Sequence, residues 1–178
     1  MGFVFLKKIL YFLRKIEFKM NIALVAHDAR KNELIEWVKY NIDVLKQHNL
    51  YATGTTGRLI EDINSKWVPQ EDGTVRLEGP MLGKVTKLLS GPLSGDCQIG
   101  AMIGENKIDF LIFFCDNLTT QGHYLDVGAL SRLASLYNIA FATNRTTADH
   151  ILTSPLFDNP EYERIIPSVI ENYKNRLL

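Results

Sequence analysis

From Met20 onward, short apolar runs alternate with longer amphipathic stretches, and this alternation limits the fold more than any other feature of the chain. Ile22 to Ala26 (IALVA) carries no charge and ends in His27-Asp28, as expected of a fully buried strand. Glu33 to Gln47 then places Leu34, Ile35, Trp37, Val38, Ile42 and Leu45 at helical spacing. Leu50–Ala52, Val85–Leu89, Phe110–Cys115 and Ala140–Thr143 are the remaining strands expected in the series. The stretches Leu59–Asn64, Cys97–Glu105, Val127–Tyr137, Thr147–Leu152 and Val169–Leu177 are the intervening or closing helices. Strands without polar alternation need both faces covered. The expectation is a single α/β domain, a mostly parallel sheet flanked by helices on both faces.

In such sheets ligands bind beyond the carboxyl ends of the strands. The polar clusters fall there: His27-Asp28, then Thr53-Gly54-Thr55-Thr56-Gly57, then Ser90-Gly91-Pro92 with Asp96, then Asp116. Residues 65–82 break the rhythm. Lys66–Val68 and Thr74–Leu77 flank Pro69-Gln70-Glu71-Asp72-Gly73, the pattern of a β-hairpin inserted into the domain of residues 20–178.

At 178 residues with 46% apolar and 22% charged side chains, the chain has the composition of one globular domain. Twenty Lys and Arg balance twenty Asp and Glu, so no overall field favours nucleic acid, and an anion site has to be built locally. Cys97 and Cys115 have no CxxC spacing; they fit a reducing cytoplasm and are expected to be packed core thiols.

Residues 1–19 differ in character. On a helical wheel Phe5, Leu6, Ile9, Phe12, Leu13 and Ile16 share one side, opposite Lys7, Lys8, Arg14 and Lys15. Charge interrupts this extension too often for it to span a bilayer. A packing helix, a membrane-surface anchor and sequence upstream of a start at Met20 are the three readings. The last is preferred because Met20 stands immediately before the first strand.

The Thr/Gly run at 53–57 lies between a strand and a helix. There glycines admit an anion to the backbone, and hydroxyls and N–H groups donate to phosphate oxygens. Such residues also make ordinary turns and caps. Ser90-Gly91 repeats the theme, and Lys31, four residues after His27, would supply positive charge unless it is simply solvated. His27, Asp28, Asp96, Asp116, His123 and Asp126 gather titratable groups at the same edge. Asp96 and Asp126 also suit helix N-caps, and Asp116 a turn cap. Together they suit proton abstraction beside a carbonyl, with a carboxylate base and a neutral imidazole polarising the oxygen. They suit a divalent metal as well. Catalysis without metal or cofactor is preferred, because a neighbouring phosphate pocket already defines a small phosphorylated carbonyl substrate.

LVAHD at 24–28, LYATGTTG at 50–57, LLSGPLSGD at 88–96, FFCD at 113–116 and ATNRTTAD at 142–149, in this order, resemble the methylglyoxal synthase family. The resemblance runs from Met20 to the C-terminus around the hairpin. It implies a parallel α/β sandwich assembled as a homohexamer, converting dihydroxyacetone phosphate to methylglyoxal and inorganic phosphate, with phosphate also an inhibitor. It implies Asp96 as catalytic base, His27 and His123 at the substrate oxygens, and Asp28, Asp116 and Asp126 as supporting carboxylates. Lys31, Thr53, Gly54, Thr55, Thr56, Ser90 and Gly91 fall on its phosphate-binding positions, and Arg132 and Arg176 on positions of subunit contact and phosphate control. Asn117, Tyr124-Leu125 and Ser94 depart from the family pattern, Ser94 standing where Gly is common. Two rivals remain. One is a non-catalytic effector-binding domain of the same fold, as in carbamoyl phosphate synthetase; the other is a metal-dependent phosphosugar hydrolase.

Overall fold

The computed structural model describes residues 5, 6, 9, 13, 14, 18–63, 66–78, 82, 83, 85–118 and 124–176, the side chains of 66–68, 75–78, 124 and 125 excepted. Its centre is a five-stranded sheet of β1 (Asn21–Ala26), β2 (Asn49–Ala52), β5 (Val85–Lys87), β6 (Phe110–Phe114) and β7 (Ala140–Ala142). The order is β5-β2-β1-β6-β7, and every neighbouring pair is parallel. Five helices cover it: α1 (Lys31–Tyr40), α3 (Gly54–Ile63), α4 (Gly95–Gly104), α5 (Tyr124–Leu136) and α6 (Arg145–Leu152). Two shorter helices, α2 (Ile42–Leu45) and α7 (Ser168–Lys174), lie among the described residues as well.

Strand periodicity divides the interior in two. Ile22, Leu24 and Ala26 of β1 point to one face, where Leu34 and Trp37 of α1, Ile60 of α3 and Leu152 of α6 pack. Ala23 and Val25 point to the other, against Ile99 and Ile103 of α4 and Leu130 and Ala134 of α5. Each fully buried aliphatic side chain stabilises the fold by about 1.5–3 kcal/mol, which is why the central residues 22–26 of β1 and 111–114 of β6 are all apolar. One polar contact crosses the first layer: Trp37 Nε1 donates to Asp149 Oδ1 at 2.7 Å, pinning α1 to α6.

The helices differ from expectation mainly at their ends. The amphipathic stretch 33–47 is two helices, because Asn41 leaves helical geometry and its Nδ2 donates to the Trp37 carbonyl at 2.9 Å. The Thr/Gly run is not a loop; α3 begins at Gly54, so most of that run is the first turn of a helix. α4 and α5 each end with an Asn in the left-handed region, Asn106 at φ 57° and Asn138 at φ 52°. The next N–H reaches back across the last turn in both, Lys107 to Met102 O at 2.8 Å and Ile139 to Ala134 O at 2.8 Å.

A two-stranded antiparallel ribbon, β3 (Lys66–Pro69) with β4 (Val75–Glu78), lies outside the main sheet. The expected packing of Trp67 and Val75 on a neighbouring subunit falls on side chains outside the described set. Among the described residues no helix is long and apolar enough to cross a membrane.

Candidate active site

Strands wind outward from β1 in one direction through β2 to β5, and in the other through β6 to β7. The order therefore reverses between β1 and β6, where connections diverge and leave a crevice at the carboxyl ends. A pocket of about 310 Å³ opens there. His27, Asp28 and Lys31 line it from beyond β1, Thr53 and Thr55 from beyond β2, and Ser90 and Gly91 from beyond β5. Asp96 of α4 and Asp126 of α5 close the ring.

His27 is held by β6. Its backbone N–H donates to Phe114 O at 3.1 Å, and its Nδ1 accepts the Asp116 backbone N–H at 2.8 Å. An imidazole accepting at Nδ1 carries its proton, when neutral, on Nε2. The ring stands edge-on to Phe113 with centroids 4.9 Å apart. Lys31 is largely withdrawn from solvent, its side chain 16% exposed, and it pairs with the Asp28 carboxylate across the first helical turn.

The phosphate-type loops interlock. Gly54 N–H donates to Leu89 O at 3.1 Å, tying the start of α3 to the loop after β5. A Cβ on Gly54 would lie 3.1 Å from Ser90 N, a contact tighter than side chains normally make. Gly95 is more constrained: a Cβ there would sit 2.0 Å from Leu89 O. Ser94 precedes it in the left-handed region at φ 71°, which glycine adopts without strain. Gln98 Oε1 accepts the Leu89 N–H at 2.7 Å and fixes the same loop from α4.

Not every expected residue faces the pocket. Asp96 is the second residue of α4 and lines the pocket, while Ser94, not Asp96, occupies the cap position. Asp126 lies in the first turn of α5 and lines it too. Asp116 accepts the Leu118 N–H at 3.0 Å and acts on the site through its backbone bond to His27. Thr56 is buried behind the wall and meets the Thr53 hydroxyl at 3.4 Å; Gly54 shapes the loop without lining the pocket. Arg132 is exposed on α5, and Arg176 is exposed just past α7. His123 lies outside the described residues.

The cysteines split. Cys115 is buried, donates to Phe113 O at 3.2 Å, and burial pushes its thiol up to about 11. Cys97, expected in the core, is exposed beside Asp96, whose charge raises the thiol's pKa. Reading Cys97 by residue type missed this, although Asp96 and Gln98 beside it already mark a polar turn of α4. Phe113 and Pro92 complete the pocket wall and were legible only as strand and turn residues. A second, larger cavity of about 490 Å³ lies at the opposite edge of the sheet, lined by Met20, Phe110, Ile139, Leu156 and Phe157 among others.

A parallel α/β domain with carboxylates, an imidazole and helix N-termini converging at its switch point belongs to the class of enzymes acting on small phosphorylated metabolites. The MGS-like domain profile matches residues 33–143. The chain is 50% identical over 144 residues to a methylglyoxal synthase of Maridesulfovibrio salexigens, covering 81% of this chain and 88% of that one. It is 48% identical over 157 residues to one of Coxiella burnetii, covering 88% and 96%. The crystal structure of methylglyoxal synthase from Elizabethkingia anophelis superposes with a TM-score of 0.71 at 40% identity, covering 88% of this chain and 91% of that one. The chain belongs to the methylglyoxal synthase family.

Proposed function

We propose that the pocket converts dihydroxyacetone phosphate to methylglyoxal and inorganic phosphate, with Asp96 as the base. The observation that carries this reading is convergence: one cavity is lined by Asp96, Asp126, Lys31, His27 and the Ser90-Gly91 turn. A carboxylate removes a C3 proton, leaving an enediolate. The His27 ring, accepting at Nδ1, directs Nε2–H toward the carbonyl oxygen on which negative charge develops. The phosphate, held by the N-terminus of α3, Ser90, Gly91 and Lys31, then departs from C1 with the electron pair of its C–O bond. The resulting enol takes a proton at C1 and becomes methylglyoxal. Elimination needs the C–O bond out of the enediolate plane, so the cradle sets the outcome by orientation as well as affinity.

Asp28 supports the reaction by holding Lys31, and Asp116 by holding His27. His123, Thr53, Thr55 and Asp126 belong to the same proposed constellation. Assembly as a homohexamer is part of the proposal; exposed Val169 and Tyr173, one turn apart on α7 near Arg176, form an apolar face suited to a subunit contact. A cytoplasmic setting fits the two free thiols. The test is to incubate the protein with dihydroxyacetone phosphate and a chelator, measuring methylglyoxal and phosphate together. Equal amounts of both are expected. Phosphate release without methylglyoxal would establish a hydrolase instead, and no turnover with intact binding would favour an effector-binding domain.

A further inference from the structure

We propose that Gln98 is a positioning residue that sets how the enediolate divides between losing phosphate and taking its proton back. The inference rests on the reaction proposed above and concerns a side chain that does not line the pocket.

The turn that carries Ser90 and Gly91 leaves the sheet from its edge strand, β5. Leu88 N–H still donates to Ala52 O beside β5, at 2.8 Å, but the Leu89 N–H is bound from outside the sheet: Gln98 Oε1 accepts it at 2.7 Å. The Leu89 carbonyl accepts the Gly54 N–H at 3.1 Å. Leu89 is thus gripped at both backbone polar groups, from α4 by Gln98 and from α3 by Gly54. Side-chain burial adds little, because Leu89 is 48% and Leu93 65% exposed. Leu93 and Gly95 N–H both donate to Ser90 O, at 2.9 and 3.0 Å, and close the turn on itself. Those bonds fix the shape of the turn; the bonds at Leu89 fix its place.

Gln98 stands two residues after Asp96 on α4, and residues two apart in a helix project to different sides. One helix therefore presents the proposed base to the pocket and holds the phosphate turn from behind. The separation of base and cradle is set along a short path from Asp96 through Gln98 and Leu89 to Ser90. That separation decides the chemistry. Once the C3 proton is removed, the enediolate has two exits. With the C1–O bond out of the plane, the bond breaks and its electron pair leaves with phosphate. With the bond in the plane that overlap is lost and the proton returns, to C3 restoring the substrate or to C2 giving glyceraldehyde 3-phosphate. A misplacement of about 1 Å can cost a reaction about 10²-fold. A turn released from α4 lets the bound phosphate swing, which favours return over elimination.

The test is turnover of dihydroxyacetone phosphate in heavy water by the full chain. Deuterium at C3 of recovered substrate plus glyceraldehyde 3-phosphate is divided by methylglyoxal formed. This ratio belongs to the bound enediolate, so it does not depend on how much of a variant is folded. Gln98→Met, similar in length but without the amide acceptor, should raise it about fivefold or more, the worth of one hydrogen bond. Gln98→Glu keeps an acceptor and should stay close to the parent ratio, its added charge appearing instead as a higher KM for the anionic substrate. Gln98→Ala loses the same acceptor and carries the test should the Met variant fail to accumulate. An unchanged or lower ratio without the acceptor overturns the proposal whatever happens to kcat, and so does a Glu variant as altered as the Met variant. A parent chain that forms no methylglyoxal removes the proposed reaction and this inference together, whereas a parent that forms it at a ratio indifferent to residue 98 removes this inference alone.

Discussion

The two edges of the sheet carry two cavities, and the smaller holds the candidate chemistry. At the amino edge the cavity of about 490 Å³ has its polar groups turned to the backbone: Arg164 Nη1 donates to Ile108 O, Asn138 Nδ2 to Ile165 O, and Asp109 accepts the Asn21 N–H. At the carboxyl edge the cavity of about 310 Å³ is ringed by carboxylates, Lys31 and two glycine-bearing turns. Volume is a poor guide to function here. What separates the edges is whether side chains close the fold on itself or converge on shared empty space, and parallel winding favours convergence only where the strands end.

The largest expected effect breaks the carboxyl edge alone. Asp96→Asn should lower kcat about 10²- to 10⁴-fold, the range that positioned proton transfer supplies. Thermal stability should hold, since Asp96 is not the cap of α4 and Asn is close to isosteric. Steady-state kinetics and a melting curve on the same preparation decide it. Retained turnover would move the base to Asp126.

Lys31→Ala should come next. A hydrogen bond to a charged partner contributes about 1.5–3 kcal/mol, so KM for the substrate and the inhibition constant for phosphate should both rise about tenfold or more. The change also frees Asp28 to repel the anion, which acts in the same direction. Unchanged phosphate inhibition in the variant would remove Lys31 from the cradle.

A third prediction sharpens the amino edge. His48 is buried there, edge-on to Phe157 with centroids 5.2 Å apart, and burial holds its pKa below the ordinary 6.5 despite Asp158 and Asp109. The fold thus favours the neutral ring, while the unfolded chain takes up a proton near 6.5. The stability His48 contributes is complete above that pH and is lost as pH falls below it, by at most about 1.4 kcal/mol per pH unit. Denaturant midpoints between pH 7 and pH 5 (about the range where this ring titrates) should fall less in His48→Gln than in the parent chain. Equal slopes would show that carboxylates alone set the acid limit.

Sheet and site were legible to different depths. Periodicity located all five strands of the main sheet, most plainly β1 and β6, whose apolar runs are covered on both faces; the edge strand β5 buries Val85 alone. Helix starts were harder. Gly54 and Gly95 begin α3 and α4 for reasons of close backbone approach, to Ser90 N and Leu89 O, which no local propensity encodes. The pocket's Lys31, Asp96 and Ser90 were legible from their places after strands. The split of the carboxylates was not, since Asp116 turning to Leu118 while Asp96 and Asp126 face the pocket depends on loop geometry. The Asp149 carboxylate, in the family-like stretch 142–149, accepts from Trp37 Nε1 between α6 and α1 and lines no part of the pocket.

The smallest expected effect lies in the turn between two pocket-lining stretches, Ser90–Pro92 and Asp96. Ser94 sits at φ 71°, a conformation that costs a non-glycine residue about 1–2 kcal/mol. Its side chain makes no capping hydrogen bond to α4, only a hydrogen bond with the exposed Cys97 side chain, so the cost is offset in part. Ser94→Gly should relieve the strain, though glycine also gains freedom in the unfolded chain, which returns part of the benefit. The net expectation is a stabilisation of about 1 kcal/mol or less, with kcat unchanged because the loop already has the geometry that glycine prefers. Urea unfolding of the two proteins measures the first quantity and initial rates the second. A gain in kcat would mean that Ser94 restrains the Leu89–Asp96 loop from a better catalytic position. A loss of stability would mean that the serine hydroxyl holds this edge of the sheet together more firmly than its backbone strain loosens it.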